Sequence, residues 1–240
     1  MNIIMTGHHG YIGSHLAPYL EEKGHIVYGW NGDIRNFNSR YERYGFDMVI
    51  HLAALTGVRK SIENPEEYWD VNVNGTRAVF NWCRERDAKC LYASSSNAIE
   101  WWTNPYATTK KVNEHDGKDF VGFRPHTVYP GREDMLYDRM VNYPSHVKYI
   151  NGRHERDWTH IDDVCSGLFT LVENYDIIVG KVVDIGTGES INLKEVAAKL
   201  MPYHTPEIRF ENPPHERIRT CADTTILNEL GWTHANRIVK

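Results

Sequence analysis

The sequence has no long hydrophobic run and no excess of positive charge. No stretch of about 18 apolar residues occurs among its 240 residues, so we expect no membrane-spanning helix. The formal net charge is -5, which gives no basic surface for nucleic acid or for an anionic membrane. We therefore predict a protein that binds neither a nucleic acid nor a membrane.

Cysteine is scarce, and the pattern of metal-binding residue types is missing. The 4 cysteines lie far apart without a C-x-x-C pair, which argues against a disulfide framework and against a cysteine-based zinc site. The 13 histidines include no H-E-x-x-H spacing, so no metal is predicted. An apolar strand begins directly after Met1, and we therefore expect no signal peptide. Together these features predict a cytoplasmic protein with reduced thiols.

The sequence does contain a glycine-rich turn directly after its first apolar run. Ile3–Met5 is followed by Gly7, Gly10 and Gly13. Gly7 would allow a sharp turn, Gly10 a close approach to a pyrophosphate, and Gly13 the packing of a helix on the strand. The free N–H groups at the start of that helix would hold the pyrophosphate. This predicts the first βα unit of a dinucleotide-binding sheet, although a glycine turn without a ligand has the same pattern.

Hydrophobic periodicity predicts strands that alternate with helices. Helical spacing occurs over residues 11–23 and 66–86, and strands are predicted over residues 25–30, 46–54 and 89–93. The run at 46–54 is apolar on both faces, as in a strand covered on two sides. This alternation predicts the α/β class, with a doubly wound parallel sheet of the Rossmann type and right-handed crossovers.

A tyrosine and a lysine stand four residues apart behind the last of these strands. Asn104 or Thr103 would cap a helix on which Tyr106 and Lys110 share one face. The pair follows the strand end at Ser94–Ser96, where open α/β sheets bind ligands. A free tyrosine has a pKa of about 10, and we expect an ammonium about 4 Å away to lower it toward neutral pH. The pair predicts a tyrosine base, although this spacing also arises by chance.

The motifs, taken together, resemble the extended short-chain dehydrogenase/reductase family, and within it the NAD-dependent nucleotide-sugar epimerases and dehydratases such as UDP-glucose 4-epimerase. They occur in the family's order over nearly the whole chain. The matching segments are Thr6–Ser14, Gly32–Arg35, His51–Ala54, Asn72–Thr76, Ser94–Ser96, Tyr106 with Lys110, Phe123–Pro125, Arg156–Asp163, Asp184–Gly188 and Glu229–Trp232.

This resemblance implies a division of the chain into two parts. Residues 1–125 would form the dinucleotide-binding Rossmann domain. Residues 126–240 would be mixed, with a small substrate-binding lobe near 127–170 and 203–220 and a segment that returns to the sheet. The lobe is shorter than is usual in the family, so we expect a shortened member of it.

The resemblance also implies the residues of the site. Catalysis would belong to Ser96, Tyr106 and Lys110. The substrate would be bound by Ser96, Asn97, Thr127 and Arg156, whose guanidinium suits a diphosphate. The cofactor NAD would be bound by Gly7, Gly10, Tyr11, Ile12, Gly13, Asn31, Asp33, Ile34, Leu52, Ala53, Ala54, Asn72, Ser94, Tyr106, Lys110 and Pro125.

The implied reaction is epimerisation of a nucleotide-diphosphate sugar through a 4-keto intermediate. Tyr106 would take the proton of the C4 hydroxyl while C4 passes a hydride to NAD. The keto sugar would turn in the site and receive the hydride on its other face, so that NAD can stay bound. The family also implies a homodimer, formed through the helices of Glu66–Arg86 and Pro105–Gly117.

Some positions depart from the family and keep other functions open. Dehydratases usually carry an Asp-Glu pair after the catalytic serine, where Asn97 and Ala98 stand here. The Gly7–Gly10 turn also resembles that of NADPH-dependent nucleotide-4-keto-sugar reductases. Asn31 replaces the acid that usually binds the adenosine ribose, so NADP is not excluded. A non-catalytic dinucleotide-binding regulator is a further alternative, against which the complete catalytic set argues.

The segment between the two catalytic positions is unusually short. Nine residues separate Ser96 from Tyr106, where the family has a longer active-site loop. Trp101–Trp102 lies in this segment and would either stack on a sugar or base or close the loop as a hydrophobic plug. Near the C-terminus, Arg217 and Arg219 would either meet a second phosphate or form a solvated charged surface.

Overall fold

The computed structural model describes residues 1–38, 45–133 and 135–238 of the chain. No helix within these residues has the length and apolar content needed to cross a membrane. The strands are β1 (Asn2–Thr6), β2 (Ile26–Trp30), β3 (Met48–His51), β4 (Lys89–Ala93), β5 (Val121–Pro125), β6 (Thr127–Tyr129), β7 (Tyr149–Asn151), β8 (Glu155–Arg156), β9 (Trp158–His160), β10 (Val182–Ile185), β11 (Ile191–Asn192) and β12 (Glu207–Arg209). The α-helices are α1 (Tyr11–Glu22), α2 (Val58–Glu63), α3 (Pro65–Trp69), α4 (Gly75–Glu85), α5 (Pro105–Asp116), α6 (Leu136–Asn142), α7 (Ile161–Glu173), α8 (Leu193–Leu200) and α9 (Thr225–Glu229). Shorter helical turns are the 3-10 helices Ile34–Asn36, Ser96–Thr103, Pro144–His146 and Tyr175–Ile177 and the π-helical turn Asp70–Asn74.

Six strands form one parallel sheet in the order β10-β5-β4-β3-β1-β2. Because the strands run in one direction, their carboxyl ends meet at one edge, where Thr6 is in register with His51. The predicted doubly wound parallel sheet is confirmed. Its carboxyl-end edge is where open α/β sheets bind ligands.

Apolar clusters cover both faces of this sheet. Ile3 and Met5 belong to one cluster together with residues of α1 and α7, whereas Ile4 belongs to the other together with residues of α4. This division follows from the alternation of side chains along a strand. A strand covered on both faces is apolar along most of its length, as Ile3–Met5 of β1 and Met48–Ile50 of β3 are.

The predicted helix over residues 66–86 is not continuous. It consists of α3, the π-helical turn Asp70–Asn74 and α4. The side chain of Asn72 in that turn accepts from the N–H of Leu55 at 2.8 Å and donates to its carbonyl oxygen at 3.0 Å. A Cβ on Gly75 would lie 2.7 Å from Cγ1 of Ile34. The interruption therefore serves tertiary contacts, as π-bulges at functional sites often do.

A third apolar cluster lies outside the sheet and includes residues of α6, α8, β7 and β9. Trp158 and Val196 are among its buried members. The chain returns to the sheet with β10, which pairs with β5, and α7 packs in the first cluster. The exact boundaries of the two domains and of the small lobe remain a prediction.

Candidate active site

The glycine turn after β1 is too tightly packed to accept larger side chains. Gly7 has a φ of +70°, and a Cβ on it would lie 2.7 Å from the backbone nitrogen of Ala53. A Cβ on Gly13 would lie 2.4 Å from the carbonyl oxygen of Gly7. Helix α1 begins at Tyr11, and the first N–H groups of a helix have no partner within it. This turn fits the pyrophosphate of a dinucleotide.

Polar and charged groups lie on the side of the turn predicted to bind the adenosine. The carboxylate of Asp33 accepts from Nε of Arg35 at 2.9 Å, and the hydrogen bonds from Arg35 hold the pKa of Asp33 below its usual value. The same guanidinium donates to Asp70 at 2.7 Å. Ile34 is buried, and Asn31 is exposed after β2. The carboxylate of Asp33 therefore already has a cationic partner, Arg35, within the protein.

His8 lies against the end of β2, a position that the sequence did not identify. A Cβ on Gly29 would fall 2.3 Å from Nε2 of His8, so the imidazole covers this strand. Burial, and then the neighbouring His9, lower the pKa of His8. Within the described residues, Nδ1 of His8 has no hydrogen-bond partner. His8 therefore covers the end of β2 with a ring nitrogen that is shielded from solvent and has no partner among the described residues.

His51, at the end of β3, is buried and uncharged beside the glycine turn. His51 lies between the hydroxyl groups of Thr6, at 2.7 Å, and Thr76, at 3.0 Å. Burial, and then the charge of Lys110, lower the pKa of His51 to about 3. The segment Leu52–Ala54 follows β3, and the hydroxyl oxygen of Thr6 accepts from the N–H of Ala53 at 3.2 Å. The structure thus brings the predicted cofactor residues that follow β3 next to the glycine turn.

Helix α5 presents the predicted tyrosine and lysine on one buried face. Asn104, one of the two predicted caps, accepts from the N–H of Ala107 at 2.8 Å. Tyr106 is 9% and Lys110 is 3% exposed. The ammonium of Lys110 donates to the carbonyl oxygen of Ala93 at 2.7 Å, and burial lowers its pKa to about 8. Lys110 therefore lies at the end of β4.

The expected lowering of the tyrosine pKa is wrong in this structure. Burial raises the pKa of Tyr106, a hydrogen bond with Ser95 lowers it in part, and Tyr68 raises it further. Desolvation disfavours a phenolate more than this hydrogen bond stabilises it. This hydrogen bond comes from Ser95, which is not among the residues predicted for the site.

The side chains of two predicted cofactor residues are engaged within the protein. The hydroxyl of Ser94 donates to buried Glu114 at 2.6 Å, and Arg124 donates to the same carboxylate. The hydroxyl of Tyr11 accepts from the N–H of Gly131 at 2.9 Å. The proton of the Ser94 hydroxyl is therefore used within the protein, whereas the Tyr11 hydroxyl keeps its own proton to donate. Pro125, a third predicted contact, ends β5.

All four predicted substrate residues line one cleft of about 500 Å³. They are Ser96, Asn97, Thr127 and Arg156. The sequence did not identify most of the cations that share the cleft, because they come from separate segments of the chain. These are Arg59, Lys60, Arg132, Arg139 and Arg217, and the acid among the lining residues is Glu216.

Arg156 is a partly buried cation in this cleft. Its Nη1 donates to the carbonyl oxygens of Glu155 and Ile218, both at 2.9 Å. Burial lowers its pKa to about 10, Glu216 raises it, and the nearby Arg217 lowers it again. A desolvated guanidinium favours an anion, and its fork geometry matches a diphosphate.

The acidic residues of the Arg156–Asp163 motif have structural partners. Buried Asp157 accepts from the N–H groups of Thr187 at 2.8 Å and Gly188 at 2.9 Å, and from that of Ala222 at 3.0 Å. Asp163 accepts from the N–H of Ala235 at 2.8 Å. These carboxylates fix loops of the C-terminal region, which explains their place in the motif without a catalytic role.

Comparisons with known proteins identify the family of this chain. Residues 3–186 match the model of the NAD dependent epimerase/dehydratase family. The chain is 30% identical to Protein CapI of Staphylococcus aureus over 72% of this chain and 70% of that one. It is 29% identical to the UDP-glucuronate 4-epimerase of Thermodesulfobacterium geofontis, over 73% of each chain.

Solved structures share the fold over almost the full length. One is the UDP-glucuronic acid 4-epimerase of Bacillus cereus in complex with UDP-glucuronic acid and NAD. It has a TM-score of 0.86 at 24% identity, with 99% of this chain and 95% of that chain covered. MoeE5 in complex with UDP-glucuronic acid and NAD gives 0.84 at 24% identity, with coverage of 99% and 95%. The chain therefore belongs to the NAD-dependent epimerase/dehydratase family and is an NAD-dependent enzyme of the extended short-chain dehydrogenase/reductase class.

Proposed function

We propose that the protein epimerises a nucleotide-diphosphate sugar at C4 through a 4-keto intermediate. The segment Ser95–Asn97 supports this more than any other feature, because it belongs to both halves of the site. Ser95 shares a hydrogen bond with Tyr106, while Ser96 and Asn97 line the cationic cleft. A sugar whose diphosphate lies among those cations would place its ring beside Tyr106.

The chain's own residues move the proton of this reaction. Tyr106 takes it from the C4 hydroxyl and returns it after the sugar has turned, while the Ser96 hydroxyl holds the substrate oxygen. Burial raises the pKa of Tyr106, so the phenolate needs a cation, which Lys110 supplies from one turn along α5. The ammonium has three donors, and those not used by Ala93 would bind the nicotinamide ribose. Bound NAD supplies the hydride acceptor and donor.

Within this substrate class we propose UDP-glucuronate as the preferred substrate. A diphosphate bridge carries one negative charge on each phosphate, and the cleft has cations beyond that need. Arg59 and Lys60 from α2 lie there with Arg139 from α6, in addition to Arg156. A sugar carboxylate would use this surplus. Relatives that are UDP-glucuronate 4-epimerases support the same choice.

A reductase is the second candidate because of the groups near the end of β2. Asn31 is exposed after β2 and carries no charge to repel a 2′-phosphate. A 2′-phosphate would be accepted there more readily than beside a free carboxylate. An NADPH-dependent nucleotide-4-keto-sugar reductase would have this property.

One assay distinguishes these functions. The purified protein is incubated with NAD and a panel of UDP-, dTDP-, GDP- and CDP-sugars that includes UDP-glucuronate, and the nucleotide sugars are separated by anion exchange. We expect a C4 epimer of UDP-glucuronate without net NADH, and at least a roughly 100-fold lower rate for Tyr106→Phe. Consumption of NADPH with a 4-keto sugar would instead identify a reductase. Cofactor binding without any turnover would identify the non-catalytic regulator.

We also propose that the protein is a cytoplasmic homodimer. All four cysteines are free thiols, which suits a reducing compartment. Near the helices predicted to form the interface, Trp69, Trp101 and Trp102 are 42%, 44% and 66% exposed. Light scattering coupled to size-exclusion chromatography tests the dimer, and we expect Trp69→Ser to weaken it.

A further inference from the structure

A short C-terminal segment, residues 215–217, contacts the first half of the shortened segment Ser96–Asn104. Nη1 of Arg217 donates to the carbonyl oxygen of Ser96 at 2.7 Å in a buried hydrogen bond. Nε of the same guanidinium donates to Glu100 at 3.0 Å. One side chain from the C-terminal region therefore binds both the backbone at Ser96 and the middle of the segment.

The same C-terminal segment contacts the other end of the shortened segment. The side-chain amide of Asn104 donates to the carbonyl oxygen of His215 at 3.1 Å. Nδ1 of His215 donates to the carbonyl oxygen of Thr103, also at 3.1 Å. Asn104 is in turn the cap of α5, the helix that carries Tyr106. Both catalytic positions are thus tied to residues 215–217.

The shortened segment needs such contacts because its own structure is weak. Residues Ser96–Thr103 form 3-10 turns that are interrupted at Glu100, whose φ of -109° and ψ of 56° are not helical. Hydrogen bonds in 3-10 turns have poor geometry, so short 3-10 segments depend on their surroundings. The interruption falls at the residue that Arg217 binds. The guanidinium therefore holds the least regular point of the segment.

Burial separates Arg217 from the other arginine of this region. The side chain of Arg217 is 9% exposed, whereas that of Arg219, paired with Glu155, is 63% exposed. A solvated charged surface describes Arg219 but is wrong for Arg217. A buried guanidinium needs partners for its donors, and Ser96 and Glu100 accept from two of the N–H groups of Arg217.

We propose that Arg217 is a positioning residue that keeps Ser96 at reaction distance from Tyr106. In this role residues 215–217 substitute for the longer active-site loop that the family has and this chain lacks. The adjacent Glu216 lines the substrate cleft and lies 3.6 Å from Arg59, so the segment also connects the cleft to the catalytic residues. This inference rests on the proposed function for its kinetic consequences and on geometry alone for its structural ones.

Steady-state kinetics with UDP-glucuronate test the positioning role. We expect Arg217→Gln to lower kcat roughly 10- to 100-fold, the range expected for a lost hydrogen bond to a charged donor, while KM changes less than about threefold. Glu100→Gln should lower kcat less, and the double variant should be no worse than Arg217→Gln. Arg237→Gln, which loses a pair with exposed Glu189, is the control and should match the wild type. A higher KM at unchanged kcat would show that Arg217 binds the diphosphate and would overturn the proposal.

Hydrogen exchange tests the same role without any turnover. Amides of residues 96–104 should exchange at least about tenfold faster in Arg217→Gln than in the wild type, while those of β1 remain unchanged. Arg217→Lys, which keeps the charge but fewer donors, should fall between the two. Equal exchange in wild type and Arg217→Gln would contradict the proposal. Should the wild type turn over no nucleotide sugar, the proposed function fails and this exchange result alone decides the role of Arg217.

Discussion

The hydroxyl group of Tyr106 shares a hydrogen bond with Ser95, and the next residue, Ser96, lines the substrate cleft. Two adjacent serines therefore serve different partners, because consecutive side chains in an extended backbone point in opposite directions. Ser95 has this extended conformation, with a φ of -161° and a ψ of 149°. The tyrosine thus has a hydrogen-bond partner that leaves Ser96 available for a sugar hydroxyl.

Alanine substitutions should separate these two roles. Ser96→Ala is expected to lower kcat roughly 100-fold without moving the pH profile, because it removes the group that holds the substrate oxygen. Ser95→Ala is expected to lower kcat only about tenfold. Ser95→Ala should also shift the part of the kcat–pH profile that reports deprotonation of Tyr106 to higher pH, because the lost hydrogen bond lowers the pKa of the phenol. The measurement is kcat against pH for both variants, and a larger loss in Ser95→Ala would reverse the assignment.

Lys110 should make the folded protein less stable at neutral pH than a neutral side chain would. Burial lowers its pKa from 10.5 to about 8, so the unfolded state binds more protons between these two pH values. Stability from this group therefore rises with pH across that window, and the full penalty is present below about pH 8. We expect Lys110→Met to raise the free energy of unfolding at pH 7 by about 1–3 kcal/mol and to abolish activity.

Urea unfolding of the cofactor-free protein at pH 7 and pH 10 measures this effect. The gap between Lys110→Met and the wild type should narrow at the higher pH. Lys111→Met, at the exposed neighbouring lysine, is the matched control. A gap that is equal at both pH values would contradict the buried position of the ammonium.

Gly13 should tolerate no side chain without loss of cofactor binding. A Cβ would lie 2.4 Å from the carbonyl oxygen of Gly7, so Gly13→Ala must push α1 away from the turn. We expect roughly 10- to 100-fold weaker NAD binding and a loss of about 1–3 kcal/mol of stability. Titration calorimetry with NAD provides the measurement. Ser14 is the next residue of α1 and is exposed, so Ser14→Ala should bind NAD like the wild type.

Arg156 should contribute to affinity for the nucleotide more than to the chemical step. Its partly buried guanidinium lies in the cleft with Arg217 and Thr127. Arg156→Gln is expected to raise KM for the nucleotide sugar, and the inhibition constant of UDP, by roughly 10- to 100-fold. Arg156→Lys should recover little, because a lysine lacks the planar fork. An unchanged inhibition constant for UDP would place the diphosphate elsewhere.

Local patterns sufficed to predict several parts of the site. Gly7, Gly10 and Gly13 follow an apolar run, and this combination has few uses other than a close turn under a helix. The spacing of Tyr106 and Lys110 on a helix predicted their common face, and that face is buried in the structure. Such features depend on neighbours within a few residues, which is the range that periodicity describes.

Contacts between distant segments could not be predicted in the same way. The helix over 66–86 is interrupted by the π-helical turn that contains Asn72. The side chain of Asn72 accepts from the N–H of Leu55 there, and helical periodicity carries no sign of that contact. The direction of the pKa shift of Tyr106 could not be predicted either. The sequence indicates that the charge of Lys110 lies near the phenol, but it does not indicate that the phenol is buried, and burial raises the pKa.

The sequence by itself determined the alternation of strands and helices as far as β4, the glycine turn and the helix face of Tyr106, because each follows from backbone geometry over a few residues. Tertiary structure decided which serine meets the tyrosine, which cations share the cleft, and how Arg217 reaches Ser96. These depend on distances between residues far apart in the chain. Burial then sets how strongly each charge acts, and only the assembled fold fixes burial.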